Sequence, residues 1–162
     1  MPKEERGPRT NTMRLLDAHK VPYEVVTFSE DIHSAAGVAE AVGLSPDEVY
    51  KTLVVQRPRG KPLLVMVAGE EQVDLSALAA SVGEKKLHMA THRDAESLTG
   101  LQVGGISALA LLNKGFEICI DQAAQRRQQV TVSAGKRGIN LRLRVSDLVD
   151  VTGARWVNAT GA

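Results

Sequence analysis

Aromatic side chains are nearly missing from this chain, with one Trp, two Tyr and two Phe making up 3% of its residues. A core built without them must be filled by Val, Leu, Ile and Ala. The 43% hydrophobic content of the 162 residues supplies enough for one domain. Cysteine occurs once, at Cys119, which excludes an intrachain disulfide and fits a reducing cytoplasm. Its neighbours Phe116, Glu117, Ile118 and Ile120 read as a strand, where a lone thiol serves as a small buried hydrophobe. No apolar run approaches the roughly 18 residues of a membrane span, and the charged stretch from Met1 to Arg9 has no apolar segment. Neither a span nor a secretory signal is expected. A formal net charge of +1 excludes a protein that coats nucleic acid by bulk attraction.

What is present reads as α/β in one domain. Residues 1–9 form a lead-in expected to be disordered, and the folded part runs from 10 to 162. Thr10 or Asn11 caps a helix carrying Met13, Leu15 and Leu16, which must stop at Val21-Pro22. Tyr23 to Phe28 reads as a strand. Ser34 caps a helix ending at Gly43, and Ser45-Pro46-Asp47-Glu48 is a second helix start. Val49 to Gln56 and Leu63 to Val67 predict a hairpin. Asp74 or Ser76 opens a helix ending at Gly83, a short strand follows around Leu87, and Thr91 opens a helix that stops near Gly100. Further strands are expected at Phe116 to Asp121, Gln129 to Val132, Ile139 to Leu143 and Ala154 to Val157, with a helix capped by Ser146 before the last. Short helices among adjacent strands argue against regular βαβ alternation.

Three stretches carry chemistry. Lys51 sits inside the apolar run Val49-Tyr50-Lys51-Thr52-Leu53-Val54-Val55, where alternation puts it on the face of Val49, Leu53 and Val55, expected to meet the core. An ammonium taken from water costs several kcal/mol, so such a lysine needs a reason. The structural one is a strand-end lysine that runs its methylenes along the core and keeps its head wet. Leu101-Gln102-Val103 is expected to be a strand running into Gly104-Gly105-Ile106-Ser107, a turn whose glycines would let a substrate approach backbone N–H groups. Ser133-Ala134-Gly135-Lys136-Arg137-Gly138 is expected to be a cationic loop between strands, either a solvent-facing hairpin or an anion site. It is not a phosphate-binding P-loop, because Arg137 follows Lys136 where Ser or Thr is required. His88 and His92 lack the intervening glutamate of a zinc protease, and no nucleophile elbow or dinucleotide fingerprint occurs.

In this order and spacing, Val49–Val55, Thr99-Gly100 with Val103–Ser107, and Val132–Gly138 resemble the YbaK family, over about residues 10 to 155. These are free-standing aminoacyl-tRNA deacylases related to the editing domain inserted in bacterial prolyl-tRNA synthetases. Val82 to Ala90 also looks like the family's segment before its helix. The resemblance implies a mixed, barrel-like β-sheet surrounded by short helices, and hydrolysis of a wrongly attached amino acid from tRNA, foremost cysteine from tRNA(Pro). It matches Lys51 to the family lysine, and Gly104, Gly105, Ile106 and Ser107 to the family's glycine loop. Thr52 and Ser133 fall on family pocket positions, Phe28 aligns with an aromatic one, and Gly135, Lys136 and Asn140 are expected to bind substrate with them.

An aminoacyl ester is already activated, so positioning and oxyanion stabilisation matter more than a strong base. Lys51 is expected to hold the 3′ end of the tRNA, with the Gly104 and Gly105 amides facing the ester oxygen or a ribose hydroxyl. The nucleophile implied for a cysteinyl substrate is that substrate's own thiol, and no cofactor or metal is implied. The expected partners are the tRNA acceptor end and prolyl-tRNA synthetase, in the cytoplasm.

Departures from the family pattern bear on the substrate. The segment from Phe28 to Ala35 is short, Ser34 replaces an aromatic, Ala108 replaces a proline, and Asn140 stands where some members have aspartate. Alanyl or seryl esters are therefore the alternatives. A silent tRNA- or synthetase-binding module, and a hydrolase of small esters or amides, are the competing classes.

Overall fold

The computed structural model describes residues 9–162, so residues 1–8 of the expected lead-in lie outside the described residues. Helix α1 (Asn11–Ala18) starts where the Thr10 hydroxyl accepts the Met13 N–H, and it buries Met13 and Leu16. After the short strand β1 (Glu24–Thr27), the Ser34 hydroxyl caps α2 (Ala35–Val42) by accepting from Gly37 N–H. The Pro46 signature makes only one 3-10 turn, Pro46–Glu48, before β2 (Tyr50–Gln56) and β3 (Leu63–Ala68) form the expected hairpin. Asp74 caps α3 (Leu75–Val82), and Thr91 caps α4 (His92–Thr99). Between them the strand expected around Leu87 is β4 (His88–Met89), while Leu87 itself is buried in the core. The chain closes with β5 (Glu117–Asp121), β6 (Gln129–Lys136), β7 (Ile139–Arg144), α5 (Val145–Thr152) and β8 (Arg155–Val157).

Two expectations need correction. Leu101-Gln102-Val103 is not a strand. The segment bends into a turn in which the Gly105 N–H donates to the Gln102 carbonyl at 2.8 Å. The stretch Ser133–Gly138 is not a loop either. Strand β6 continues through Lys136 with a bulge between Ser133 and Lys136, which leaves only Arg137 and Gly138 to make the turn. Smaller differences are shifts of one or two residues at element ends. Helix α5, for example, begins at Val145 behind Arg144, so Ser146 lies inside it rather than capping it.

The strands form two sheets. One is three-stranded in the order β1-β7-β6, antiparallel throughout. The other is five-stranded in the order β4-β2-β3-β5-β8, with β3, β5 and β8 mutually parallel. A single parallel bridge, Val49 to Thr131, joins the two at one corner. This is the mixed, barrel-like sheet expected, without a closed barrel.

The five-stranded sheet is covered on both faces, and β3 (LLVMVA) is accordingly buried at all six positions. Tyr50, Val54, Leu64, Met66 and Ile120 face the larger core, shared with Val132, Leu141 and Leu143 of the other sheet. Val55, Leu63, Val65, Val67 and Cys119 face a second cluster under α3. Aliphatic residues make up most of both, as the dearth of aromatics requires. No helix among the described residues is long and apolar enough to cross a membrane.

Candidate active site

A cavity of about 580 Å³ opens where the start of β2, the N-terminus of α2, α4, the glycine turn and the β6–β7 pair converge. Lys51 lies in its wall. Alternation along β2 puts it on the face of Leu53 and Val55, as expected, but β2 is enclosed on both sides and the larger core lies opposite. At Lys51 the face opens into the cavity, so the side chain is half-buried rather than enclosed. Its Nζ donates to the Gly69 carbonyl at 3.1 Å. Burial pulls the Lys51 pKa below the lysine value of 10.5, and the Glu71 carboxylate pushes it partly back. The result is a cation held by one neutral acceptor, with donor capacity to spare. Position 69 has no room for a side chain, since a Cβ there would stand 2.9 Å from Ala35 Cβ and 3.1 Å from the Val49 carbonyl.

Thr52, Gly104, Ile106, Ser133 and Asn140 line the same cavity as Lys51. Ser133 and Asn140 are cross-strand partners on β6 and β7. Asn140 is buried, and the Ser133 hydroxyl accepts the Gly135 N–H at 3.0 Å across the bulge. Gly104 adopts φ +93°, and a Cβ on it would lie 3.1 Å from His33 Cα, so conformation and space both demand glycine.

The remaining expected residues sit elsewhere. The Gly105 amide, expected to face the ester, is committed to Gln102. Gly105 is buried outside the cavity lining, where its Cα packs on the β6–β7 turn and a Cβ would meet Arg137 N at 2.9 Å. Ser107 is 1% exposed beneath the turn, and its Oγ has no hydrogen-bond partner. Phe28 packs on the small cluster of Val38, Ala39 and Val49 behind the site. Gly135 and Lys136 border a different cleft, with Thr10 and Leu109.

The bulge is the reason for this last outcome. It turns Lys136 outward and brings its neighbour Arg137 to the cavity. Arg137, which belongs to the cationic stretch, lines the cavity together with Glu96, His33 and His92, for which no ligand role was expected. The α4 pair had a signal in the sequence, because His92 and Glu96 stand four apart, on one helix face with Ala95 beside them.

An ammonium, a glycine turn and a polar cross-strand pair around one cavity suit a ligand that is anionic at one end and carries a small polar group at the other. The profile of the aminoacyl-tRNA editing domain matches residues 29–151, which spans every residue of this cavity. The chain belongs to that family, the YbaK type, and so is an aminoacyl-tRNA deacylase by class. It is 35% identical over 162 residues, 99% of this chain and 98% of the relative, to an Enterococcus faecalis protein provisionally named the Cys-tRNA(Pro)/Cys-tRNA(Cys) deacylase EbsC. The Escherichia coli K12 multifunctional Ser/Thr-tRNA deacylase ProXp-y is 26% identical, with 89% of this chain and 87% of that protein aligned. A crystal structure described provisionally as a trans-editing enzyme for prolyl-tRNA synthetase superposes with a TM-score of 0.77 at 23% identity, covering 94% of this chain and 99% of that one, which bears on the fold alone.

Proposed function

We propose that this protein, one editing domain over residues 10–162, releases a wrongly attached amino acid from tRNA in trans, with Cys-tRNA(Pro) as its foremost substrate. The observation that carries the reading is the meeting of Lys51 and the Gly104 backbone at one cavity. The likeness to EbsC supports cysteine as the amino acid. In this reading the Lys51 ammonium binds the anionic 3′ end of the tRNA, and the turn at Gly104 receives the terminal ribose and ester. Thr52, Ile106, Ser133 and Asn140 form the wall around the aminoacyl side chain. Gly105, Ser107 and Gly135 act as support, and Phe28 and Lys136 have no direct part.

No side chain in the cavity is asked to be a nucleophile. The substrate's thiol sulfur attacks its own ester carbonyl carbon, the ribose oxygen leaves with the thiol's proton, and water then opens the thioester so formed. The protein's contribution is to hold the ester in an attack conformation, which is worth several kcal/mol when reacting atoms are aligned. The substrate is made in the cytoplasm, and prolyl-tRNA synthetase is the partner that would hand it over.

The Ser133 hydroxyl and the neutral Asn140 amide favour a second reading, in which a seryl or alanyl ester is cleaved by a bound water. Presenting tRNA(Pro) charged separately with Cys, Ala, Ser and Pro decides between them. The cysteinyl ester is expected to be cleaved fastest and the prolyl ester spared. Faster release of serine or alanine transfers the assignment to the second reading, and release from none of the four overturns both.

A further inference from the structure

Val103, the residue before the glycine turn, is gripped at both ends of its backbone by charged side chains from two other elements. Its N–H donates to Glu96 Oε2 on α4 at 2.7 Å, and its carbonyl accepts from Arg137 Nε, in the β6–β7 turn, at 2.7 Å. Both bonds are charge-assisted and part-buried, so each is stronger than a neutral amide pair and less screened than a surface contact. Glu96, Val103 and Arg137 also border the cavity. The next link is steric, since the Gly105 backbone rests on Arg137 N so closely that a Cβ there would stand 2.9 Å away. Helix α4, the turn and the β6–β7 connection are thus locked through one residue.

We propose that Glu96 and Arg137 are positioning residues that set the place of Gly104, and thereby the deacylation rate, by clamping the Val103 backbone. The inference rests on the deacylase reading of the cavity and adds to it two residues that do not touch the ester. Without the clamp the turn keeps the Gly105-to-Gln102 hydrogen bond, which closes the bend but does not tie it to α4. A displacement of about 1 Å at a reacting centre can cost roughly a hundredfold in rate. Lys51, on another strand, still binds the RNA when the turn moves. Loss of the clamp therefore lowers kcat and leaves KM nearly unchanged.

The test combines kinetics with amide hydrogen exchange on the full chain. Glu96→Ala and Arg137→Ala are each expected to lower kcat on the charged tRNA(Pro) that the wild type cleaves best by about tenfold or more, with KM within about threefold. Glu96→Gln, whose amide oxygen can still accept the Val103 N–H, is expected to recover most of the rate, a rescue that loss of global stability would not produce. The double alanine variant is expected to fall little below the worse single, because both side chains act through one residue. Exchange across 101–106 should quicken in both alanine variants while that of β3 and β5 stays protected. Quickened exchange with wild-type kcat overturns the positioning role, and unchanged exchange overturns the clamp itself. A wild type inactive on every charged tRNA defeats the deacylase reading and the rate claim with it, whereas the exchange measurement still decides whether the clamp exists.

Discussion

Lys51 is the residue on which the proposed chemistry turns, and its surroundings make two outcomes measurable. Lys51→Ala is expected to cut single-turnover deacylation of the mischarged tRNA by at least about tenfold, the scale of a lost positioning group. An unchanged rate would remove Lys51 from the mechanism. The second outcome follows from burial, which lowers the lysine's pKa. The ammonium is then lost below pH 10.5, and activity that depends on it falls as pH rises through the lowered value. The stability effect has the opposite sense. The unfolded chain holds this proton more tightly than the folded one, so Lys51 costs stability below the folded pKa, and that cost fades as pH climbs toward 10.5. Lys51→Arg cannot titrate in this range, so the alkaline fall in rate, after subtraction of spontaneous ester hydrolysis, should vanish in that variant. A fall that persists in Lys51→Arg would belong to another group.

At the scale of elements, what the sequence disclosed and what it hid have a common physical cause. Ser34, Asp74 and Thr91 are legible as helix starts because capping is a local contact between a side chain and the N–H three residues on. The β2–β3 hairpin is legible because two apolar runs flank the turn-forming stretch Arg57-Pro58-Arg59-Gly60-Lys61-Pro62. Arg137 was hidden because a bulge near Gly135 breaks the period-2 count, and no spacing rule says where that break falls. The adjacent Lys136 looks equivalent in sequence and ends on another cleft. Gly105 was legible as a special glycine but not as to purpose, because its reason is a neighbour thirty-odd residues away.

That purpose can be tested, since alanine retains an N–H. Were Gly105 there only to donate its amide, Gly105→Ala would be neutral to stability. A Cβ at Gly105 would stand 2.9 and 3.0 Å from the Arg137 and Lys136 backbone, which predicts instead a loss of about 1–3 kcal/mol in urea denaturation, the usual cost of overpacking. A midpoint matching the wild type would sink the packing account.

Over the whole molecule positive and negative charges nearly balance, and this limits how it can hold RNA. Arg57 and Arg155 both reach Glu117, Arg142 reaches Glu48, and Arg127 pairs with Asp47. With a net charge of +1 bulk attraction to phosphate is weak, and at the cavity Lys51 sits where the acceptor end would enter, while Arg137 is held on the Val103 carbonyl. Each phosphate neutralised in a single-stranded tail contributes about −0.7 to the slope of log K against log salt. Contacts confined to the terminal nucleotides, with about two to four phosphates neutralised, therefore predict a slope between roughly −1 and −3 for uncharged tRNA(Pro), measured by anisotropy from about 50 to 200 mM salt. Lys51→Ala should make that slope shallower by somewhat less than one, while Arg59→Ala, in the β2–β3 turn, should not change it. A wild-type slope steeper than about −6 would mean that the body of the tRNA is gripped, and recognition through the acceptor end would then have to be abandoned.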